Sequence, residues 1–302
     1  MEFENFKGEI RLNEPMSRHT SFRIGGPADV FAVPRDRSDL SSLIRETAAR
    51  KLPVFILGAG TNLLVRDGGF RGVVISMERI SGIEEERRYR SIGGMYCVVR
   101  AEAGAMLPRL LGFAAERGLS GLEFAAGIPG TVGGAVCMNA GTSKGEIGDV
   151  IDSVTMVSPS EEVIKTREEM EFGYRRASIP AGHVVVETRL VLRLDDTERI
   201  KARVQDILKR RQQTQPLTLP NAGSIFKNPL DEAAGWLIEK AGLKGAAVGD
   251  AEVSERHANF IVNKGGAKAG DVIRLMEMVQ ARVLEVHGVR LEPEIKIIGE
   301  DD

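Results

Sequence analysis

Apolar residues recur along this chain in two periods, and the switches between them outline its elements. Residues 19–34 read as a short element, a Gly25-Gly26-Pro27 turn and a strand ended by Pro34. Leu40, Leu43, Ile44 and Ala48 then follow a helical repeat, with Ser38 as the expected cap and Pro53 closing the segment. Short apolar runs predict strands at Val54–Leu57, Val73–Met77 and Cys97–Ala101, while the charged stretch Glu84–Arg90 reads as a surface connection. Leu107, Leu110, Leu111 and Ala114 mark a second helix, with Pro108 in its first turn and Gly118 just past its end. Strands follow at Ile151–Val157, Glu162–Lys165 and His183–Leu194, and Asp196 opens a charged helix carrying Ile200, Val204, Ile207 and Leu208. Gln212–Pro220, with prolines at 216 and 220, reads as a linker.

Beyond the linker the pattern predicts a helix over about residues 232–241, a turn at Gly242–Gly249 and an Asp271-capped helix. That helix has Val272, Leu275, Met276, Val279, Val283 and Val286 on one face and Gly288 as its stop. A strand over Val289–Ile298 ends the chain. Strand pairs with few intervening helices fit an α+β class better than a repeating βαβ array.

Two glycine-rich stretches interrupt this pattern. Gly127–Gly141 holds five glycines in fifteen residues, and Gly58–Gly72 directly follows a predicted strand. Glycine weakens helix and strand alike, so such clustering calls for a reason. Close approach of bare backbone N–H groups to phosphate oxygens supplies one, and two cradles suit a ligand with two phosphates. The alternative is a pair of turns packed for their own sake. Gly58-Ala59-Gly60 invites a dinucleotide-fold reading, but position 63 is leucine and no helix pattern follows.

Composition narrows the partners. A formal net charge of −2 argues against a general nucleic-acid binder, and Lys209-Arg210-Arg211 reads as a solvated helix end. No apolar run reaches the roughly 18 residues of a membrane helix, and Met1–Lys7 lacks a signal-peptide pattern. Cys97 and Cys137 read as reduced core thiols, and four scattered histidines suggest no metal site. A cytoplasmic protein follows as the expectation.

Three polar groups stand out. Ser224, within Asn221–Pro229, either faces a ligand or serves as a cap or turn residue. No nucleophile elbow surrounds it, which disfavours a hydrolase. Arg175, in Tyr174-Arg175-Arg176, is either surface charge or a bidentate carboxylate clamp. Glu294 sits in the last predicted strand, opposite in facing to Pro293 and Ile295, where a solvent-facing carboxylate is the plain reading.

Taken in order, Thr20–Asp29, Leu57–Gly72, Gly121–Gly141, Phe172–Arg175, Asn221–Pro229, Ser254–Asn263 and Leu291–Gly299 resemble the UDP-N-acetylenolpyruvoylglucosamine reductase family. The combination spans nearly the whole chain. The resemblance implies an α+β protein with a two-subdomain FAD-binding fold of the vanillyl-alcohol-oxidase (PCMH) type and a C-terminal α+β substrate domain. The implied boundaries are 1–83, 84–205 and 206–302. It further implies non-covalent FAD, NADPH as hydride donor, and a nucleotide-sugar substrate reduced in peptidoglycan precursor synthesis. A monomer is expected, with no nucleic-acid or membrane partner.

On the same resemblance, FAD contacts fall on Gly58, Ala59, Gly60, Thr61, Asn62, Leu63, Gly127, Ile128, Pro129, Thr131, Gly133, Gly134 and Ala135. Arg175 and Glu294 match residues at the substrate carboxylate, and Ser224 matches the proton donor to C2. Tyr174, Lys227 and Asn228 match substrate contacts. A charged Glu294 beside the carboxylate would repel it, so that role makes sense if Glu294 is protonated or shares a proton there.

The family's Tyr-Arg-x-Ser pattern reads here Tyr174-Arg175-Arg176-Ala177, with Ser178 one place late. Thr142-Ser143-Lys144 replaces the commoner Ala-Tyr-Gly type. About forty residues separate Arg175 from Ser224, leaving little room for an inserted tyrosine loop and indicating the shorter subclass. Two alternatives are an FAD-dependent sugar or alcohol oxidase on the same scaffold and a non-enzymatic nucleotide binder. The histidines lie in neither glycine stretch, which disfavours a covalently attached flavin.

Overall fold

The computed structural model describes residues 3–301. The chain forms two compact units. One comprises the N-terminal segment through Arg11, Phe31–Ala59 and Val73–Arg211; the other comprises Leu12–Val30, Gly60–Gly72 and the chain from Gln212 onward.

In the first unit, Val54–Leu57 pairs in parallel with Val73–Ser76. The helix Arg37–Ala49 buries Leu40, Leu43 and Ile44. Its cap is Asp36 rather than Ser38: Asp36 is extended, at φ −156°, and its carboxylate accepts the Asp39 N–H at 2.9 Å. A carboxylate there also meets the positive end of the helix dipole.

The second sheet of this unit runs in the order Glu162–Thr166, Ile151–Val157, Val184–Leu194, Gly94–Glu102, Ile83–Ser91. The last strand contains the charged run expected to be a surface connection. It is an edge strand whose charges find partners: Arg100 bonds Glu84 at 2.7 Å and Arg189 bonds Glu86 at 3.0 Å. Edge position and cross-strand pairing let a charged sequence be a strand. At the centre, Glu187 has a side chain only 4% exposed and ion-paired to Arg37, Arg100 and Arg189 at 2.7–3.0 Å. The helix Leu107–Glu116 buries Leu107, Leu110 and Ala114, and the chain then passes through Leu119–Ser120 into the second glycine stretch.

The second unit has its own core, in which Phe22, Leu64, Ile225, Phe226, Leu237, Val272, Leu275 and Val279 are buried together. Leu63–Val65 pairs in parallel with Lys296–Ile298, and Ala247–Val248, Ala251–Val253 and Ile261–Asn263 form an antiparallel sheet. The helix Ala269–His287 buries the expected face through Val283, but Val286 is exposed in the last turn. Asp271 lies inside its first turn, accepting the Lys268 N–H at 3.0 Å, rather than at the cap itself. Asp67 adds a second carboxylate, taking the N–H groups of Ala269 and Gly270 at 2.9 and 3.0 Å. Gly288 stops the helix at φ 69°, as expected. The final strand is shorter than predicted: only Lys296–Ile298 forms a ladder, and Pro293 lacks the N–H a ladder would need.

Candidate active site

The first glycine stretch is not uniform. After Leu57 the chain turns at Gly58-Ala59-Gly60 and enters the strand Leu63–Val65 with no helix between, which rules out the dinucleotide-fold reading. Beyond that strand the stretch is structural: Asp67 caps a helix, and Gly68 donates to the Glu300 carbonyl at 3.0 Å. Only its opening remains available as a cradle. Among the described residues, no hydrogen bond of Gly58, Ala59 or Gly60 uses their N–H groups.

The second stretch is pinned from below. Leu107 donates to the Gly130 carbonyl, Val132 donates to Ala105 O and Gly133 donates to Ala103 O, all at 2.8–2.9 Å. Gly133 is needed there, since a Cβ would lie 2.8 Å from that of Ala103. The short helix Val132–Cys137 is capped by Thr131, whose Oγ1 accepts from Gly134 N–H. The amides at the helix start are therefore already used. Those of Gly127, Gly130 and Thr131, just ahead of it, bond no described residue. The two stretches meet inside this unit, where a Cβ on Gly58 would be 2.4 Å from Thr131 Oγ1. Gly134 is exposed, while Thr131, Gly133 and Ala135 are buried.

Arg211 completes this corner and was not legible as part of it. Read as a solvated helix end, it instead lies against Gly127, where a Cβ would be 2.8 Å from its Cδ and 2.9 Å from its Nε. The Nε is buried without a hydrogen-bond partner among the described residues, and burial pulls the guanidinium below its ordinary pKa. An unsatisfied buried cation is costly unless something anionic joins it. Cys137, expected in the core, is exposed, whereas Cys97 is buried.

Arg175 occupies a strained turn in the same unit. Phe172–Gly173 pairs with Arg176–Ala177, which leaves Tyr174 and Arg175 as a two-residue hairpin loop. Arg175 has φ 58°, a conformation that costs an ordinary side chain and that glycine adopts freely. An arginine kept there is a sign of function. Its Nη1 donates to the Gly141 carbonyl at 3.3 Å, and its guanidinium lies 5.0 Å from the exposed Tyr174 ring. The serine missing at position 177 is thus replaced locally by a backbone carbonyl and an aromatic face.

In the second unit an Asx turn introduces Ser224: Asn221 Oδ1 accepts the Gly223 N–H at 2.9 Å, and Gly223 sits at φ 76°. Ser224 is half-buried, and its hydroxyl bonds no described residue, so it is not a cap. The backbone beyond it is held on both sides. Ile225 N–H donates to Asn259 O at 2.9 Å, while Glu294 N–H donates to Ile225 O at 2.7 Å and Lys227 N–H to Glu292 O at 2.8 Å. Glu294 is therefore on the segment next to Ser224, although in an irregular stretch rather than a strand. Asn62 Nδ2 donates to the Glu294 carbonyl at 3.2 Å, and Lys296 N–H donates to Asn62 O, joining the first glycine stretch to this segment. Lys227 Nζ pairs with Glu292 at 3.4 Å. Asn228 Oδ1 accepts the Ala234 N–H at 3.0 Å, at the start of the helix Ala234–Lys240.

Residues 28–167 match the family model of an FAD binding domain. The fold and this corner define an FAD-containing oxidoreductase. Residues 215–298 match the C-terminal domain of UDP-N-acetylenolpyruvoylglucosamine reductase, beginning within the predicted linker. The enzyme of that name from Geotalea uraniireducens is 43% identical over 98% of this chain and 96% of its own length. That from Desulfosudis oleivorans is 45% identical over 98% and 96%. The crystal structure of the Thermus caldophilus reductase superposes with a TM-score of 0.79 at 37% identity, covering 96% of this chain and 98% of its own. The chain belongs to the UDP-N-acetylenolpyruvoylglucosamine reductase family, enzymes of peptidoglycan precursor synthesis, and its expected fold class and FAD cofactor stand.

The residues present fit that cofactor. Unpaired amides at Gly58, Ala59, Gly127, Gly130 and Thr131 suit phosphate oxygens, and the orphaned Arg211 Nε suits an anionic or carbonyl acceptor. Among the described residues no helix is long and apolar enough to cross a membrane.

Proposed function

We propose that the chain reduces UDP-N-acetyl-3-O-(1-carboxyvinyl)-glucosamine to UDP-N-acetylmuramate at the expense of NADPH, as a cytoplasmic monomer. The chemistry that bound FAD supplies is hydride transfer from NADPH to C3 of the enol ether. Hydride arrival at C3 pushes negative charge onto C2 and its carboxylate, and the chain's own residues must hold that charge and deliver a proton.

Arg175 clamps the carboxylate, with the stacked Tyr174 beside it. Glu294, protonated or sharing a proton, hydrogen-bonds the same group; each contact contributes on the order of 10²–10³-fold in rate. Ser224 Oγ gives its proton to C2, and Lys227 steadies the alkoxide left behind. Asn228 contacts the substrate. In this reading the FAD-binding part has two halves, 1–83 and 84–205, followed by a substrate part over 206–302; the family matches to 28–167 and 215–298 support a division between the FAD-binding and substrate parts.

The observation that carries the reading is the 2.7 Å bond from Glu294 N–H to Ile225 O, which sets the glutamate on the segment adjoining Ser224. The test is spectroscopic. Purified enzyme should be yellow, bleach with NADPH under argon, and recover its colour when the enolpyruvyl nucleotide is added. Recovery with air alone at the same rate, or no recovery with the nucleotide, would contradict it.

A further inference from the structure

Asn139 is fully buried and lies two residues beyond the short helix Val132–Cys137 that follows the second glycine stretch. Its φ of 45° is left-handed, a conformation that glycine usually supplies at the end of a helix. Asparagine tolerates it, but the choice over glycine must rest on the side chain. That side chain is fully engaged. Nδ2 donates to Glu146 Oε1 at 2.7 Å and to the Gly173 carbonyl at 3.1 Å, while Oδ1 accepts the Gly148 N–H at 3.1 Å. A side chain at Gly148 would press on its neighbours, since a Cβ would lie 3.0 Å from Asn139 Oδ1 and from the Phe172 ring.

Gly173 is the last paired residue before the strained Tyr174-Arg175 loop. Two residues after Asn139, the Gly141 carbonyl accepts from the Arg175 guanidinium. One three-residue stretch therefore grips the arginine hairpin twice, once at its root and once at its head. Resting on the reading of Arg175 as the carboxylate clamp, we propose that Asn139 is a positioning residue for Arg175, coupling the exit of the cofactor loop to the arginine that binds the substrate.

Asn139→Gly keeps the left-handed backbone at no cost and removes only the side chain, so it is the variant of choice. In the FAD-loaded enzyme, it should retain FAD and be reduced by NADPH at the parent rate. Anaerobic reoxidation by UDP-N-acetyl-3-O-(1-carboxyvinyl)-glucosamine should slow by about 10–100-fold, with a raised KM, as expected for a misplaced binding group. In an Arg175→Ala background the same substitution should cost nothing further. Independent, multiplicative losses in the two backgrounds would overturn the inference, as would equal losses in both half-reactions. Should Arg175→Ala alone leave reoxidation unchanged, the clamp reading itself fails and this inference falls with it. Asn139→Asp serves if the glycine variant folds poorly. It keeps the acceptor for Gly148 but sets a carboxylate against Glu146 and Gly173 O, and the same slowing and non-additivity are expected.

Discussion

Asn259 and Phe226 are joined by a reciprocal pair of hydrogen bonds: Phe226 N–H donates to Asn259 Oδ1 at 3.0 Å, and Asn259 Nδ2 donates to Phe226 O at 2.8 Å. The buried side-chain amide stands in for a neighbouring strand, filling both backbone positions of a residue two places beyond Ser224. On the other side the segment Glu292–Glu294 completes the pairing. Ser224 thus hangs from a backbone clamped on both edges.

Replacing Asn259 by Leu keeps the volume but leaves the Phe226 N–H and C=O buried and unpaired. A loss of about 2–3 kcal/mol in urea unfolding is expected. Reoxidation of the reduced enzyme by the enolpyruvyl nucleotide should slow in parallel, while reduction by NADPH should not.

Arg211→Met removes a half-buried cation whose Nε is buried without a hydrogen-bond partner among the described residues. The FAD-free protein should become no less stable, because an uncompensated charge is gone. FAD should bind about 10–100-fold more weakly, the worth of a hydrogen bond to a charged group. Flavin fluorescence titration alongside thermal unfolding of the apoprotein separates the two effects.

Much of the fold was legible because it rests on periodicity. The Leu107–Glu116 helix carried Pro108 and Gly118 at its ends, and the apolar stripe of Ala269–His287 held through Val283. What escaped depends on distant partners. Glu84–Arg90 reads as a loop until Arg100 and Arg189 lie beside it, and Asp67 cannot be seen as the cap of a helix two hundred residues away. The site follows the same division. The glycine stretches were visible, but not which half of each still has free amides, because Ala103, Ala105 and Asp67 decide that from elsewhere. Arg211 sat in a basic run indistinguishable from a solvated helix end. Its left-handed backbone, which sets Arg175 apart from its neighbour Arg176, has no signature in a single sequence.

Burial lowers the pKa of His257, which packs edge-on against Phe260 at 4.8 Å and accepts the Asn259 N–H on Nδ1. A histidine held neutral in the fold and free to protonate when unfolded gives stability that is complete above its ordinary pKa of about 6.5. That contribution should fall as the pH drops below about 6.5 and through the lower folded value. Denaturant midpoints between pH 7.5 and 5 check this, and His257→Phe should flatten the slope in that window.

Asp67→Ala takes the carboxylate from the first two amides of the helix Ala269–His287. A loss of about 1–2 kcal/mol is expected, the usual worth of a cap. Asp67→Asn, which still offers an oxygen acceptor, should recover part of it in the same thermal melt.

The most direct test separates the two half-reactions in Ser224→Ala. NADPH should bleach the bound flavin of this variant at the rate of the parent enzyme. Anaerobic addition of the enolpyruvyl nucleotide should then restore the colour about 10²–10⁴-fold more slowly, the usual cost of losing a general acid. Recovery at the parent rate, with UDP-N-acetylmuramate formed, would remove Ser224 from the chemistry and contradict the role given to its segment.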